Sequence, residues 1–128
     1  MARFDIDSRS PMPVYQQLCR AIKLEILAER LSDGDLLPSI RDLARLIKVN
    51  PNTVAKAYTA LEKEGLIEGK TGSGSRVRLK KTGFDSLRRV LLEDEFKGFV
   101  ERALSVGASK KDIKVLMERY LNDEPKNR

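Results

Sequence analysis

Asn52, Lys56, Thr59 and Lys63 recur at i, i+4, i+7 and i+11, with Thr53 at the edge of the same set. On a helix that spacing lines one face. Carboxamide, hydroxyl and ammonium groups together are the donors and acceptors that read base edges and hold phosphates. Any amphipathic helix also turns such a face to water, so the spacing by itself leaves a plain solvated face open. Other chemistry has few candidates. The chain has no histidine and a single cysteine, Cys19, which removes the commonest general base, internal disulfides and the usual zinc sites. No Gly-rich phosphate loop occurs, and no cofactor or metal is implied. The acids Glu93, Asp94 and Glu95 are adjacent in sequence, so on a helix they point in different directions and read as solvated surface rather than a catalytic pair. The expectation is a protein that is not an enzyme.

The charge is unevenly distributed. Residues 1 to 40 hold five basic and six acidic groups, residues 41 to 81 ten and four, and residues 82 to 128 ten and nine, giving −1, +6 and +1. The whole positive surplus of the chain therefore lies in the block that contains the polar helix face, as expected of a surface that meets phosphates.

The 128 residues suit one core plus a small appendage. A composition of 41% hydrophobic and 34% charged residues lies in the folded range. No apolar run of about 18 residues occurs, and the opening Met-Ala-Arg-Phe-Asp lacks the apolar stretch of a secretory signal, so a cytoplasmic protein without membrane partners is expected.

Pro11-Met12-Pro13 precedes a first helix to about Glu29, with Tyr15, Leu18, Ile22 and Ile26 as its docking stripe. Cys19 lies beside that stripe and reads as a small core residue or as a reactive thiol. A turn-rich loop from Leu31 to Pro38 leads to a second helix. Ser39 is its N-cap, Asp42 sits three positions on, and Ile40, Leu43, Ala44 and Ile47 form its inner face. Asn50 caps a third helix that opens on Pro51 and buries Val54, Ala57, Tyr58 and Leu61. Leu66–Glu68 and Ser75–Leu79 read as a hairpin around Thr71-Gly72-Ser73-Gly74, with Arg76, Arg78 and Lys80 on one face. From Thr82 the chain turns helical again. Phe84, Leu87, Leu91, Leu92, Phe96, Phe99, Val100 and Leu104 give a broad apolar surface, Gly107 closes the helix, and Ser109 restarts one that carries Leu116 and Tyr120.

The expected fold is mainly α with a small β-hairpin. A winged helix-turn-helix over 1–80 is followed by a short two-helix segment over 81–128, and the third helix is the one that enters a major groove. More specifically, the run Leu37-Pro38-Ser39-Ile40-Arg41-Asp42-Leu43-Ala44, then Val49-Asn50-Pro51-Asn52-Thr53-Val54, Lys56-Ala57-Tyr58, Leu61-Glu62-Lys63-Glu64-Gly65-Leu66-Ile67 and Gly72-Ser73-Gly74, resembles the DNA-binding domain of GntR-family transcriptional regulators. Pro13-Val14-Tyr15-Gln16-Gln17-Leu18 resembles the family's opening of its first helix. The 47 residues after the wing resemble the short tail of the YtrA subfamily.

The resemblance implies that Arg41, Asn50, Asn52, Thr53, Lys56 and the wing tip Gly72, Ser73 and Gly74 touch double-stranded DNA; Ser39, Thr59, Arg76 and Arg78 complete the expected set. Asn50 reads equally as an N-cap alone. Many relatives have arginine where this chain has Pro51 and Ala55, which shifts base reading toward Asn52 and Lys56. The tail is implied to form a homodimer through Phe84, Leu87, Leu91, Leu92, Phe96, Phe99, Val100, Leu104, Leu116 and Tyr120. The implied whole is a homodimeric repressor of a palindromic operator, with an operon for an ATP-binding-cassette transporter among the targets typical of the subfamily. A small-molecule effector is left open; its place would be near Phe84, Leu87 and Phe96, though these three read first as plain interface core. The alternative is an architectural or protein-interaction module with only non-specific DNA affinity.

Overall fold

The computed structural model describes residues 4–70 and 74–123. It is divided into two compact units, one running through Arg88 and the other starting at Arg89.

The first unit holds α1 (Val14–Leu27), α2 (Ile40–Ile47), α3 (Pro51–Lys63), β1 (Ile67–Lys70) and β2 (Gly74–Val77), and α4 (Gly83–Ser105) begins within it. α1 and α2 both pack on α3. Leu18, Ile22 and Ile26 of α1, Leu43 of α2, Val54 and Leu61 of α3 and Val77 of β2 are the largest fully buried side chains. Their spacing is that of the apolar stripes in the sequence. Ile40 departs from the expected inner face of α2: as the first helical residue it is 38% exposed, and Leu43 and Ala44 carry the contact.

α2 and α3 begin on side-chain caps. Ser39 Oγ accepts the Asp42 amide at 3.0 Å and Asn50 Oδ1 accepts the Asn52 amide at 2.8 Å, satisfying donors that a helix start leaves orphaned. α1 ends two residues before the expected Glu29, because Glu29 itself adopts a left-handed φ of 61°. The chain then turns back so that the Arg30 and Leu31 amides donate to Glu25 O. Glu25 is a buried acid, and its carboxylate takes the Arg30 guanidinium beside that turn. Lys48 at φ 58° makes the corresponding left-handed step between α2 and α3.

β1 and β2 pair antiparallel, with Ile67 opposite Val77 and Glu68 opposite Arg76. The expected second strand reached Leu79, but its ladder stops at Val77. Beyond it the Arg78 amide donates to Leu66 O and the Leu79 amide donates to Asp33 Oδ1. The loop before α2 lies along the other edge of β2. Gly34 N donates to Val77 O, Val77 N to Asp35 O and Leu37 N to Ser75 O, and Leu36 bridges Arg76. Residues 71 to 73, the expected hairpin tip, lie outside the described residues.

The second unit contains the rest of α4 and α5 (Lys110–Asp123). Gly107, at φ +93°, supplies the left-handed turn after α4 that a side chain would strain. Ser109 and Asp112 form a reciprocal capping box: the Ser109 amide donates to Asp112 Oδ2 at 2.9 Å, and the Asp112 amide donates to Ser109 Oγ at 3.0 Å. Hydrogen bonds from the Ser109 amide, and secondarily from its side chain, hold the Asp112 carboxyl below the usual range. No helix among the described residues is long and apolar enough to cross a membrane.

The Tyr58 hydroxyl donates to Pro38 O at 2.7 Å, joining α3 to the loop before α2. Burial pushes the Tyr58 phenol well above its usual range, so it remains a donor at all ordinary pH values. Tyr58→Phe is expected to lower unfolding free energy by about 1 kcal/mol, the usual net value of one such bond. Urea denaturation followed by circular dichroism checks this; an unchanged midpoint would show that the bond contributes nothing net.

Candidate nucleic-acid interface

The amides and caps that start α3 also fix which of its faces is free. Val54, Ala57, Tyr58 and Leu61 are buried, which turns Asn52, Lys56, Thr59 and Lys63 to the exterior, where all four are exposed. The periodicity expected from sequence is therefore the periodicity of burial. Thr53 is half-buried at the edge of this face, and its amide donates to Asn50 O. Asn50 is exposed, with Oδ1 engaged by the Asn52 amide, so its cap role is occupied in the free protein. Its Nδ2 end is chemically a donor for a phosphate or a base.

Lys56 is oriented by a residue from another helix. Its Nζ lies 4.2 Å from the centroid of the Tyr15 ring, and the Tyr15 hydroxyl accepts a hydrogen bond from Gln16 Nε2 at 3.2 Å. The sequence shows Tyr15 only as a member of the α1 docking stripe. Its second surface, facing Lys56, depends on the crossing of α1 with α3, for which local spacing carries no signal.

On α2, Ser39 is exposed and spends its hydroxyl on the Asp42 amide; Arg41 projects to solvent beside it. Arg45 is 3.6 Å from Asp42, a pair exposed enough to add little stability. The two wing arginines, expected together on an open basic face, have protein partners. Arg76 is half-buried and donates from a terminal nitrogen to Gly34 O at 3.1 Å, while Arg78 Nε lies 3.7 Å from Glu68 Oε2. A guanidinium has five donors, so one bond to a carbonyl leaves others for phosphate. Gly74 is exposed at φ +75°, and a Cβ there would meet Leu36 Cδ1 at 3.5 Å, so backbone strain rather than space favours glycine. Gly72 and Ser73 lie outside the described residues.

The structure gathers no cluster of histidine, cysteine or acidic groups able to hold a metal among the described residues. Glu93, Asp94 and Glu95 are exposed along α4. Cys19 is buried, its Sγ 3.5 Å from Ala57 O, and desolvation raises its thiol pKa; both features describe a core residue rather than a reactive thiolate.

In the second unit, the residues expected to form an interface have unequal burial. Leu91 is buried, Val100 half-buried, and Leu92, Phe96, Phe99, Leu104, Leu116 and Tyr120 exposed. Leu92, Phe96 and Phe99 of α4 and Leu116, Met117, Tyr120 and Leu121 of α5 line an open groove of 660 Å³ edged by Glu95 and Arg102. In the first unit Leu87 is buried and Phe84 half-buried, with the Arg88 guanidinium 4.6 Å from the Phe84 ring centroid.

The sequence profile of the bacterial regulatory proteins of the gntR family matches residues 14–77. The uncharacterized HTH-type transcriptional regulator YhcF of Bacillus subtilis is 32% identical over 109 residues, 85% of this chain and 90% of its own. The HTH-type transcriptional repressor YtrA of the same organism is 47% identical over 72 residues, 56% of this chain and 55% of its own, so the chain spans about half the length of that relative. Among solved structures, a GntR family transcriptional regulator from Listeria monocytogenes superposes with a TM-score of 0.75 at 27% identity, covering 89% of this chain and 98% of that one. YtrA from Sulfolobus acidocaldarius, a GntR-family transcription factor, gives 0.57 at 32% identity, covering 93% and 97%.

Two substitutions separate the two readings of Asn50. Asn50→Ala is expected to cost about 1 kcal/mol of stability through the lost cap, and Asn50→Ser to restore most of it. If DNA affinity, corrected for folding, is the same for wild type and Asn50→Ser, Asn50 acts as a cap alone; a loss in both variants assigns its amide to DNA.

Proposed function

The chain belongs to the GntR family of bacterial regulatory proteins, in its YtrA subfamily, and from that premise we propose that it is a sequence-specific repressor acting as a homodimer on a two-fold symmetric operator in the cytoplasm. The family consists of DNA-binding transcriptional regulators, not enzymes, and this chain is one of them. The observation that carries the finer reading is the outer face of α3, where Asn52, Lys56 and Thr59 stand exposed on a helix whose opposite side is wholly buried.

In this reading α3 lies in the major groove and Asn52, with Thr53 beside it, reads base edges. A carboxamide can donate and accept at once, the pairing adenine offers. Arg41, Lys56, Arg76 and Arg78 hold phosphates and set the register, and the wing follows the neighbouring minor groove. A dimer presents two such helices to half-sites one helical turn, or a multiple, apart, so its own symmetry is matched in the operator.

The dimer reading is supported by the apolar surface of α4 and α5. Leu92, Phe96, Phe99, Leu116 and Tyr120 in one groove form a patch of the kind that soluble proteins cover. A second copy offers the matching surface by symmetry. Repression is supported by the relative YtrA, which is named a repressor. An operon for an ATP-binding-cassette transporter as the target rests on the subfamily resemblance.

Fluorescence anisotropy against the DNA upstream of the chain's own gene, competed with unlabelled random duplex at fixed salt, tests sequence choice. A specific reader exceeds its non-specific affinity by about a thousandfold or more. Collapse to the non-specific level favours an architectural module instead. Asn52→Ala is expected to relax base preference by about 1 to 3 kcal/mol at the pairs it reads, with little change elsewhere. Phe96→Asp is expected to shift sedimentation equilibrium from dimer to monomer without unfolding the first unit; a variant that remains dimeric excludes this face.

A further inference from the structure

Lys56 is the only cation in the first eight residues of α3, and Pro51 and Ala55 add no polar side chain to that stretch. Its ammonium is seated over the Tyr15 ring, 4.2 Å from the centroid, although Lys56 itself is exposed. A lysine on a solvated helix face ordinarily samples many rotamers and loses that freedom when it makes a contact. Here the seat is a half-buried ring on a different helix, tethered through its hydroxyl by Gln16 at 3.2 Å. The ring face is electronegative and attracts the cation, and a half-buried ring is itself held in place.

We propose that Tyr15 is a positioning residue of the DNA-reading surface, which holds the Lys56 ammonium in one place so that it meets DNA already ordered. The proposal rests on the DNA-reading function argued above. A specific complex demands one geometry from each side chain, whereas non-specific complexes accept many. Ordering Lys56 in advance therefore favours the specific complex more than the others. The contact ties recognition to α1, a helix otherwise concerned with the core.

The first experiment needs no DNA. In the free protein the ring current of Tyr15 shifts the Lys56 Cε protons upfield; Tyr15→Leu returns them to the position of an exposed lysine and Tyr15→Phe leaves them shifted. Unshifted resonances in the wild type overturn the proposal. The second is a double-mutant cycle on a duplex that the wild-type protein enriches from a random pool. It compares Tyr15→Leu, Tyr15→Phe, Lys56→Met and the double variant Tyr15→Leu with Lys56→Met, each shown folded by its thermal transition. Tyr15→Leu is expected to weaken binding about two- to fivefold, the range of an exposed cation–π contact, and Tyr15→Phe less than twofold. Tyr15→Leu adds nothing once Lys56 is methionine. The logarithmic salt slope falls by about one in Lys56→Met and is unchanged in Tyr15→Leu. Additive losses overturn the proposal, as does an equal loss in Tyr15→Phe and Tyr15→Leu, which would give the hydroxyl its own contact. If no duplex is enriched, sequence-specific reading fails. The ring-current shift in the free protein, which needs no DNA, then still decides whether Tyr15 holds the Lys56 ammonium in place.

Discussion

The segment from Asp33 to Pro38 is the constraint on which the placement of the wing and α3 depends. Its backbone exchanges bonds with β2 at Gly34, Asp35 and Leu37, and its last carbonyl, Pro38 O, accepts the Tyr58 hydroxyl from the middle of α3. Asp33 reaches past the strand to the Leu79 amide, and Arg76 reaches back to Gly34 O. One short loop therefore fixes the wing and the third helix to the same frame. Backbone polar groups withdrawn from water demand partners, and here the partners belong to the wing and to α3. Without the bonds of this loop the wing would be a two-stranded hairpin, which is marginal in water by itself. The added edge makes it a lasting part of the fold.

The other supports of α3 are spread along its length. Ala57 and Val54 let α1 approach closely enough for the Cys19 thiol to lie against Ala57 O. Near the C-terminus of α3, Lys23 pairs with Glu64 at 2.9 Å. That pair is partly exposed and contributes modestly; the buried stripe is what holds the helix. The second unit contrasts with this. It buries Leu91 and Ile113 but leaves Leu92, Phe96, Phe99, Leu116, Tyr120 and Leu121 open. Burial on that scale is small beside the entropy of ordering two helices, which is the physical ground for assigning the surface to a second copy.

How much of this is legible in the sequence follows from how far apart the interacting residues lie. α3 reads almost completely, because a cap at Asn50, a proline at the first position and a 3.6-residue period are local signals, and the four residues expected inside are the four buried. The capping box at Ser109 and Asp112 reads for the same reason. The left-handed Glu29 does not: it depends on buried Glu25 drawing two amides and a guanidinium into one turn. The strand-like behaviour of Leu36 does not read either, since its partner Arg76 is forty residues away in a hairpin that has to form first. The partners of Arg76 and Arg78 do not read from sequence, because alternation shows which face a strand residue occupies and is silent on what else stands there.

Those wing pairings bear on how recognition is divided between elements. Arg78 lies near Glu68, and Arg76 shares itself with Gly34 O, so each is partly satisfied before DNA arrives. A cation with a carboxylate neighbour gains less from a phosphate, because the acid is repelled as the phosphate approaches. Its contribution to sequence-independent attraction is reduced accordingly. The α3 face carries no such acid among Asn52, Lys56 and Thr59, and its cation rests on a neutral ring, which orders the ammonium without cancelling its charge. A ring can therefore do what an acid cannot at this position: restrict the lysine while leaving its full attraction for DNA.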